Sequence, residues 1–348
     1  MNTIYALTDY KNHYGSKWNS KPYRSGYDKK YLIELFKQYN YELNFIQFKD
    51  VDLYSNWQGK VVIYTSSEEV GRNYKSYIED IVLSLEKAGA IVIPNYDFLR
   101  AHENKVYMEL LRDRLLGKEL SGNTSRFYGT VEELKQDIDN KEIKYPVVIK
   151  SFTGAMSKNV YSADDESSLL NHARKISRSP NHFYEVKDFI RQRKHKDYQL
   201  ESKYQNKFIV QPLIPKLKND WKIVIYGDHY YILSRGIKEG DFRASGSHYN
   251  YKAGSKSDFP VHMLDSVEQI YSNFKVPHLS LDFAYDGRRG YIHEFQAIYF
   301  GTSTLEFSND YYRKVNGKWV VEEKELDQEG EYVYSIVKFL DKHGINHF

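Results

Sequence analysis

A chain of 348 residues exceeds one minimal core and suits two or three packed subdomains. Lys and Arg number 50 against 47 Asp and Glu, a formal charge of +3 that argues against wholesale attachment to nucleic acid or membrane. Cys is absent, which excludes disulfides, thiolate nucleophiles, zinc–Cys sites and iron–sulfur clusters, and the 41% hydrophobic content sets the chain apart from disordered polymers.

The opening stretch reaches Asp9 before a signal-peptide core can form. No run approaches the ~18–20 apolar residues of a membrane span, so a cytosolic protein is expected. Thr3–Leu7, Leu43–Ile46, Val61–Tyr64 and Ile91–Ile93 read as strands. Between them, Tyr31, Leu32, Leu35, Phe36 and Tyr39, then Ile78, Ile81, Val82 and Leu85, recur at helical spacing. Strands alternating with helices predict a small α/β unit with a parallel sheet. One helix is predicted over 97–116, further helices over 131–138 and 165–177, and strands over 146–150 and 208–211. The polar run 181–203, with Arg191, Arg193, Lys194, His195 and Lys196, reads as a solvated helix face or loop, a phosphate-contacting patch being the lesser alternative. Trp221–Tyr226 and His229–Ser234 flank Gly227-Asp228 as a hairpin, and Leu279–Ala284 and Tyr291–Phe295 form a second. Helices over 263–274 and 330–343 complete the pattern, the latter with Tyr334, Val337 and Leu340 on one side.

Several chemistries are excluded by missing motifs. There is no G-x-x-x-x-G-K-[ST], no G-x-G-x-x-G after a strand, no H-E-x-x-H, and Ser245-Gly246-Ser247 is not a nucleophile elbow. What remains is LDFAYDGRRGYIHEFQA, with Asp282 on one hairpin strand and Glu294 and Gln296 on the other. Glu294 and Gln296, two apart, share a face, with His293 and Phe295 on the opposite one. Three convergent oxygen donors suit Mg²⁺, or Mn²⁺, shared with nucleotide phosphates; the alternative is an exposed polar sheet face. Lys150 ends an apolar strand and precedes a loop of small residues (Ser151, Thr153, Gly154, Ala155, Ser157) whose N–H groups can approach phosphate. Lys105 opens a helix, and Arg243 offers a planar fork for phosphate or carboxylate, although each of these is also an ordinary surface cation.

Taken in order, these pieces resemble the ATP-grasp superfamily, most closely its carboxylate–amine ligase branch. Glu103-Asn104-Lys105, Pro146–Lys150 with its loop, Phe208–Ile214, Asn219–Gly227, Phe242-Arg243-Ala244-Ser245, and Asp282 with Glu294 and Gln296 carry the resemblance. It implies an α/β and α+β architecture: an N-terminal parallel-sheet domain over 1–95, a linker helix and central lid over 96–212, and a C-terminal antiparallel-sheet domain over 213–348. It also implies that Lys105 and Lys150 contact ATP phosphates with the Gly154 loop, and that Gln211 and the backbone near Leu213 receive adenine. Asp282, Glu294 and Gln296 would hold Mg²⁺, and Arg243 would steady the transferred phosphoryl group or acyl phosphate. Three departures stand out: Gln296 for Asn, Lys222 for an Arg two places after Asp220, and a single glycine in the lid loop.

The implied reaction is carboxylate activation by ATP followed by amine attack. An ATP-grasp kinase and a non-catalytic basic binding protein are the competing readings. Substrate contacts are expected from Tyr10–Tyr27 and Thr65–Tyr74 (Tyr14, Trp18, Arg24, Glu68, Arg72), which follow predicted strands. The identity of the substrates and the oligomeric state, a homodimer included, stay open.

Overall fold

The four apolar runs near the N-terminus pair as a parallel sheet. The computed structural model describes residues 2–17, 19–67, 69, 71–154, 159–243 and 249–345. Trp18, Glu68, Ala155, Ser157 and residues 244–247, named above, lie outside these. Strand Asn2–Thr8 lies between Tyr41–Gln47 and Val61–Tyr64, and Ile91–Ile93 extends the sheet beyond Val61–Tyr64. Both faces are covered, which is why the strands are continuously apolar rather than alternating. Helices Lys29–Gln38 and Gln328–Lys342 pack Leu32, Phe36, Val333 and Ile336 against Ile4 and Ile63. Helix Asn73–Lys87 packs Ile78, Val82 and Leu85 against Leu7 and Val62 on the other face.

The helix predicted over 97–116 is in fact two, Tyr96–Ala101 and Lys105–Ser121. Glu103 takes a left-handed φ of 52°, and the Asn104 side chain accepts from Tyr107 N–H as the cap of the second helix. Apolar spacing continues on both sides of this break, so periodicity alone conceals it. The second helix is itself broken by a kink at Gly117 (φ 67°, ψ 177°) and its last turn stops at Gly122, whose φ is 68° and where a Cβ would sit 2.1 Å from the Gly290 carbonyl oxygen.

A second, antiparallel sheet runs Arg126–Tyr128, Phe208–Pro212, Val147–Ser151, Val160–Ala163. Helices Val131–Asp139 and Glu166–Ser177 cover it through Leu134, Leu169 and Ala173. Its two outer strands, three and four residues long, are too short to register as alternating patterns in the sequence. The polar run contains helix His182–Lys194, in which Asp188 alone is buried, so it is a solvated face.

The third sheet is antiparallel and seven-stranded. Its centre is the hairpin Asn219–Tyr226 and His229–Gly236, turned by Gly227 at φ 62°. Beside it stands the pair His278–Tyr285 and Gly290–Gln296. An outer hairpin, Asp310–Val315 with Lys318–Glu323, was not legible as strands in the sequence. Ile223, Ile225, Leu279 and Leu281 pack beneath helix Leu264–Phe274 and against Met108 and Leu111 of the capped helix, tying that helix to the sheet. No helix among the described residues is long and apolar enough to cross a membrane.

Candidate active site

Lys105, Lys150, Gly154, Gln211, Leu213, Arg243, Asp282, Glu294 and Gln296 all line one cavity of ≈ 370 Å³. They arrive from three places: the start of the capped helix, the four-stranded antiparallel sheet, and the seven-stranded one. A polar sheet face scattered over the surface would not converge in this way.

The carboxylates meet because of a β-bulge. Phe283 pairs with Ile292, but Asp282 pairs with Glu294, leaving His293 as the extra residue. Without the bulge, simple counting would oppose Asp282 to His293 and turn Glu294 to the far face. The bulge brings Glu294 opposite Asp282, with Gln296 opposite Ser280, and it also turns His293 toward the cavity. His293 was expected on the opposite face and is corrected here. Burial, with Lys150 nearby, pushes its pKa down to about 3, so the ring is neutral at pH 7.

Each carboxylate has a cation. Glu294 Oε2 accepts from Lys105 Nζ at 3.0 Å, and Gln296 Nε2 donates to Glu294 Oε1 at 3.1 Å. Asp282 lies 2.9 Å from Arg235, which also donates two hydrogen bonds to Asp220 at 2.7 and 2.8 Å. Burial acts to raise the Asp282 pKa, but Arg235 and Lys222 outweigh it and hold the carboxyl low. In Asp220 burial dominates and pushes the pKa up to about 6. Arg235 escaped the sequence reading, although counting outward from the two-residue Gly227-Asp228 turn puts it directly opposite Asp220. Lys222, the residue found in place of an arginine, sits across from Asp282 and also lines the cavity.

The cavity's other wall belongs to the four-stranded sheet. Burial lowers the Lys150 pKa, Glu109 pulls it back, and Lys105 lowers it further. Opposite Val148, Gln211 is buried and donates through Nε2 to Glu109 at 2.9 Å and to Ser125 Oγ at 2.7 Å. Glu109 is itself ion-paired to buried Arg112. Both amide hydrogens of Gln211 are therefore committed, which leaves Oε1 as the group its side chain can turn to the cavity. The Leu213 N–H donates to the Pro146 carbonyl at 3.1 Å, so it is not the spare donor expected for adenine. Arg243 stands at the rim, held by Asp241 through bonds of 2.9 and 3.0 Å. Gly154, at φ 120°, closes the described part of the loop after Lys150.

Asp282, Glu294 and Gln296 fit a hard divalent cation by their chemistry: two carboxylates and an amide oxygen on one face. Among the described residues no group of three His, Cys, Asp or Glu could hold a metal, so a cation here would need the Gln296 amide oxygen beside the two carboxylates.

A parallel-sheet unit followed by two antiparallel sheets that grip one cavity between them is the ATP-grasp fold, and this chain has it. No family model and no curated protein matches the sequence; the likeness is to solved structures. N5-carboxyaminoimidazole ribonucleotide synthetase in its ADP complex aligns over 97% of this chain and 77% of its own, with TM-score 0.55 and 11% identity. D-cycloserine synthetase aligns over 97% and 100%, with TM-score 0.54 and 11% identity. A Chryseobacterium gregarium RiPP-associated ATP-grasp ligase, in complex with ADP and a leader and core peptide, aligns over 99% and 97%, with TM-score 0.52 and 12% identity. Identities this low concern the fold.

Proposed function

We propose that the chain is an ATP-dependent carboxylate–amine ligase that forms an amide or peptide-like bond and releases ADP and phosphate. The observation that carries this reading is the convergence of two lysines, two carboxylates and an amide from distant segments on a single cavity. Two of the structural neighbours, named for ligase or synthetase activity, are complexed with ADP, which supports a nucleotide there.

In this reading Asp282, Glu294 and Gln296 hold Mg²⁺, which when bound neutralises phosphate charge. Lys105 and Lys150 bind the phosphates, and the Gly154 loop approaches them with backbone N–H groups. A carboxylate resists amine attack because its leaving group would be oxide; taking the γ-phosphoryl group turns that leaving group into phosphate. Arg243 at the rim faces the transferred group, and the four-stranded sheet folding over the nucleotide keeps water from the acyl phosphate. Hydroxylamine tests the scheme. Supplied with ATP, Mg²⁺ and a panel of carboxylic acids, the protein is expected to convert at least one acid to its hydroxamate in step with ADP release. ADP release that yields only a stable phosphorylated acceptor would instead identify a kinase.

Gln211 makes a separate prediction. With its Nε2 committed to Glu109 and Ser125, its Oε1 is the atom left to accept from the amino group of adenine and repel the carbonyl of guanine. The protein is expected to prefer ADP over GDP on the order of 100-fold. In Glu109→Gln the amide of Gln211 is free to flip, and the preference should fall to within about threefold by calorimetry. Equal affinities in the native protein would remove Gln211 from base reading.

A further inference from the structure

The seven-stranded sheet has two edges, and only one of them is covered. At the first, helix Lys105–Ser121 lies along strand Gly290–Gln296: Arg112 donates to the Ile292 carbonyl at 3.2 Å, and Gly122 sits against the Gly290 carbonyl. The other edge is strand Lys318–Glu323, which pairs with Asp310–Val315 and with no further strand among the described residues. Its adjacent valines, Val320 and Val321, point to opposite faces, yet are 36% and 46% exposed, so both faces are partly open there. An open edge of this kind is a template for another strand. Two usual guards are missing: the sequence KWVVEE holds no Pro, and its register with Asp310–Val315 runs without a bulge.

The backbone decides which residues face outward. Turn residues Asn316 and Gly317 have φ of 48° and 78°, as in a type I′ turn, so Val315 and Lys318 exchange the hydrogen bonds that close the hairpin. Alternation then directs the N–H and C=O groups of Lys318, Val320 and Glu322 inward, and those of Trp319, Val321 and Glu323 outward. The Lys324 N–H, donated to the Asn309 carbonyl at 3.1 Å, continues the inward set.

An antiparallel strand joining this edge has to meet the outward set, and the sequence complements itself there. With Val320 on a two-fold axis, Val320 opposes Val320 of the second copy, Trp319 opposes Val321, and Lys318 opposes Glu322. These are an aliphatic pair, an aromatic with a β-branched residue, and opposite charges, all favourable across strands. The two-fold repeats each off-axis pair. Within its own hairpin Lys318 faces Val315, so no carboxylate opposes it. The next register that pairs the outward groups, with Val321 on the axis, sets Lys318 against Lys324 and Val320 against Glu322. Charge therefore selects the first register.

We propose that this edge is the interface of a homodimer in which two copies join their seven-stranded sheets antiparallel through Lys318–Glu323. The edge lies five strand spacings, about 24 Å, from the strand of Glu294, so pairing leaves the nucleotide cavity of each copy open. The test is sedimentation equilibrium of the full chain between about 1 and 200 µM, a range suited to an interface smaller than the standard size. A monomer–dimer equilibrium is expected. Val321→Pro removes an N–H that a single copy turns to solvent, and should abolish the dimer while the melting temperature stays within about 5 °C of the native value. Lys318→Glu and Glu322→Lys should each weaken self-association about tenfold. Their equimolar mixture should recover native association as a mixed dimer, because the reversed charges then meet their opposites. This charge-reversed pair decides by itself should Val321→Pro lose its fold. ADP affinity is expected to stay within about twofold in the charge-reversed variants, since the edge is remote from the cavity. A monomer at every concentration would leave the edge to another protein or to none and overturn the proposal. So would a dimer indifferent to Val321→Pro, or one that the mixture does not restore. Neither result bears on the ligase reading.

Discussion

Glu294→Ala is expected to lower ADP release about a thousandfold, the loss typical of removing one charged or hydrogen-bonding group that acts on the transition state. The substitution removes one of two carboxylates from the proposed Mg²⁺ donor set and releases Lys105, now 3.0 Å away. The fold should survive, because the Glu294 side chain is 30% exposed and points into a cavity rather than a core. Glu294→Gln, which keeps an oxygen donor but not the charge, should fall between. The measurement is steady-state ADP release together with the melting temperature. Turnover near the native level in an intact Glu294→Ala protein would make the cluster structural and end the metal assignment.

Arg235→Met is expected to have the largest effect on stability, on the order of 3–5 kcal/mol. Arg235 is 5% exposed and serves Asp220 and Asp282 at once, so its loss strands two carboxylates out of water. Asp220→Asn should be milder and, combined with Arg235→Met, should return part of the lost stability, because it removes one of the stranded charges. Urea unfolding of the two single variants and the double variant measures this coupling. A cost below about 1 kcal/mol for Arg235→Met would mean that the arginine is not the charge holding these strands together.

Much of the site was legible because its residues sit at ends of strongly patterned elements. Lys150 follows Val147-Val148-Ile149, and Asp282 and Glu294 interrupt apolar strands, so a charge at those points has to face a cleft or solvent. Arg235 was hidden by its setting in a second polar-apolar strand with no motif around it, and only the hairpin register reveals its partner. Glu109 and Ser125 were hidden for a different reason. They act on Gln211 from 102 and 86 residues away, a separation across which neither spacing nor periodicity carries information.

Most of the longer strands and helices, the tight Gly227-Asp228 turn and the parallel character of the first sheet follow from local pattern, because hydrophobic periodicity and turn chemistry act over a few residues, whereas Gln211 and Leu213 were singled out only by the resemblance to a family. Tertiary structure alone decided the split at Glu103-Asn104, the bulge at His293 that turns Glu294 toward Asp282, and the sharing of Arg235 between two carboxylates. Each of these is a question of which distant group a polar atom meets once water is excluded, and that depends on three-dimensional packing rather than on neighbours in the chain.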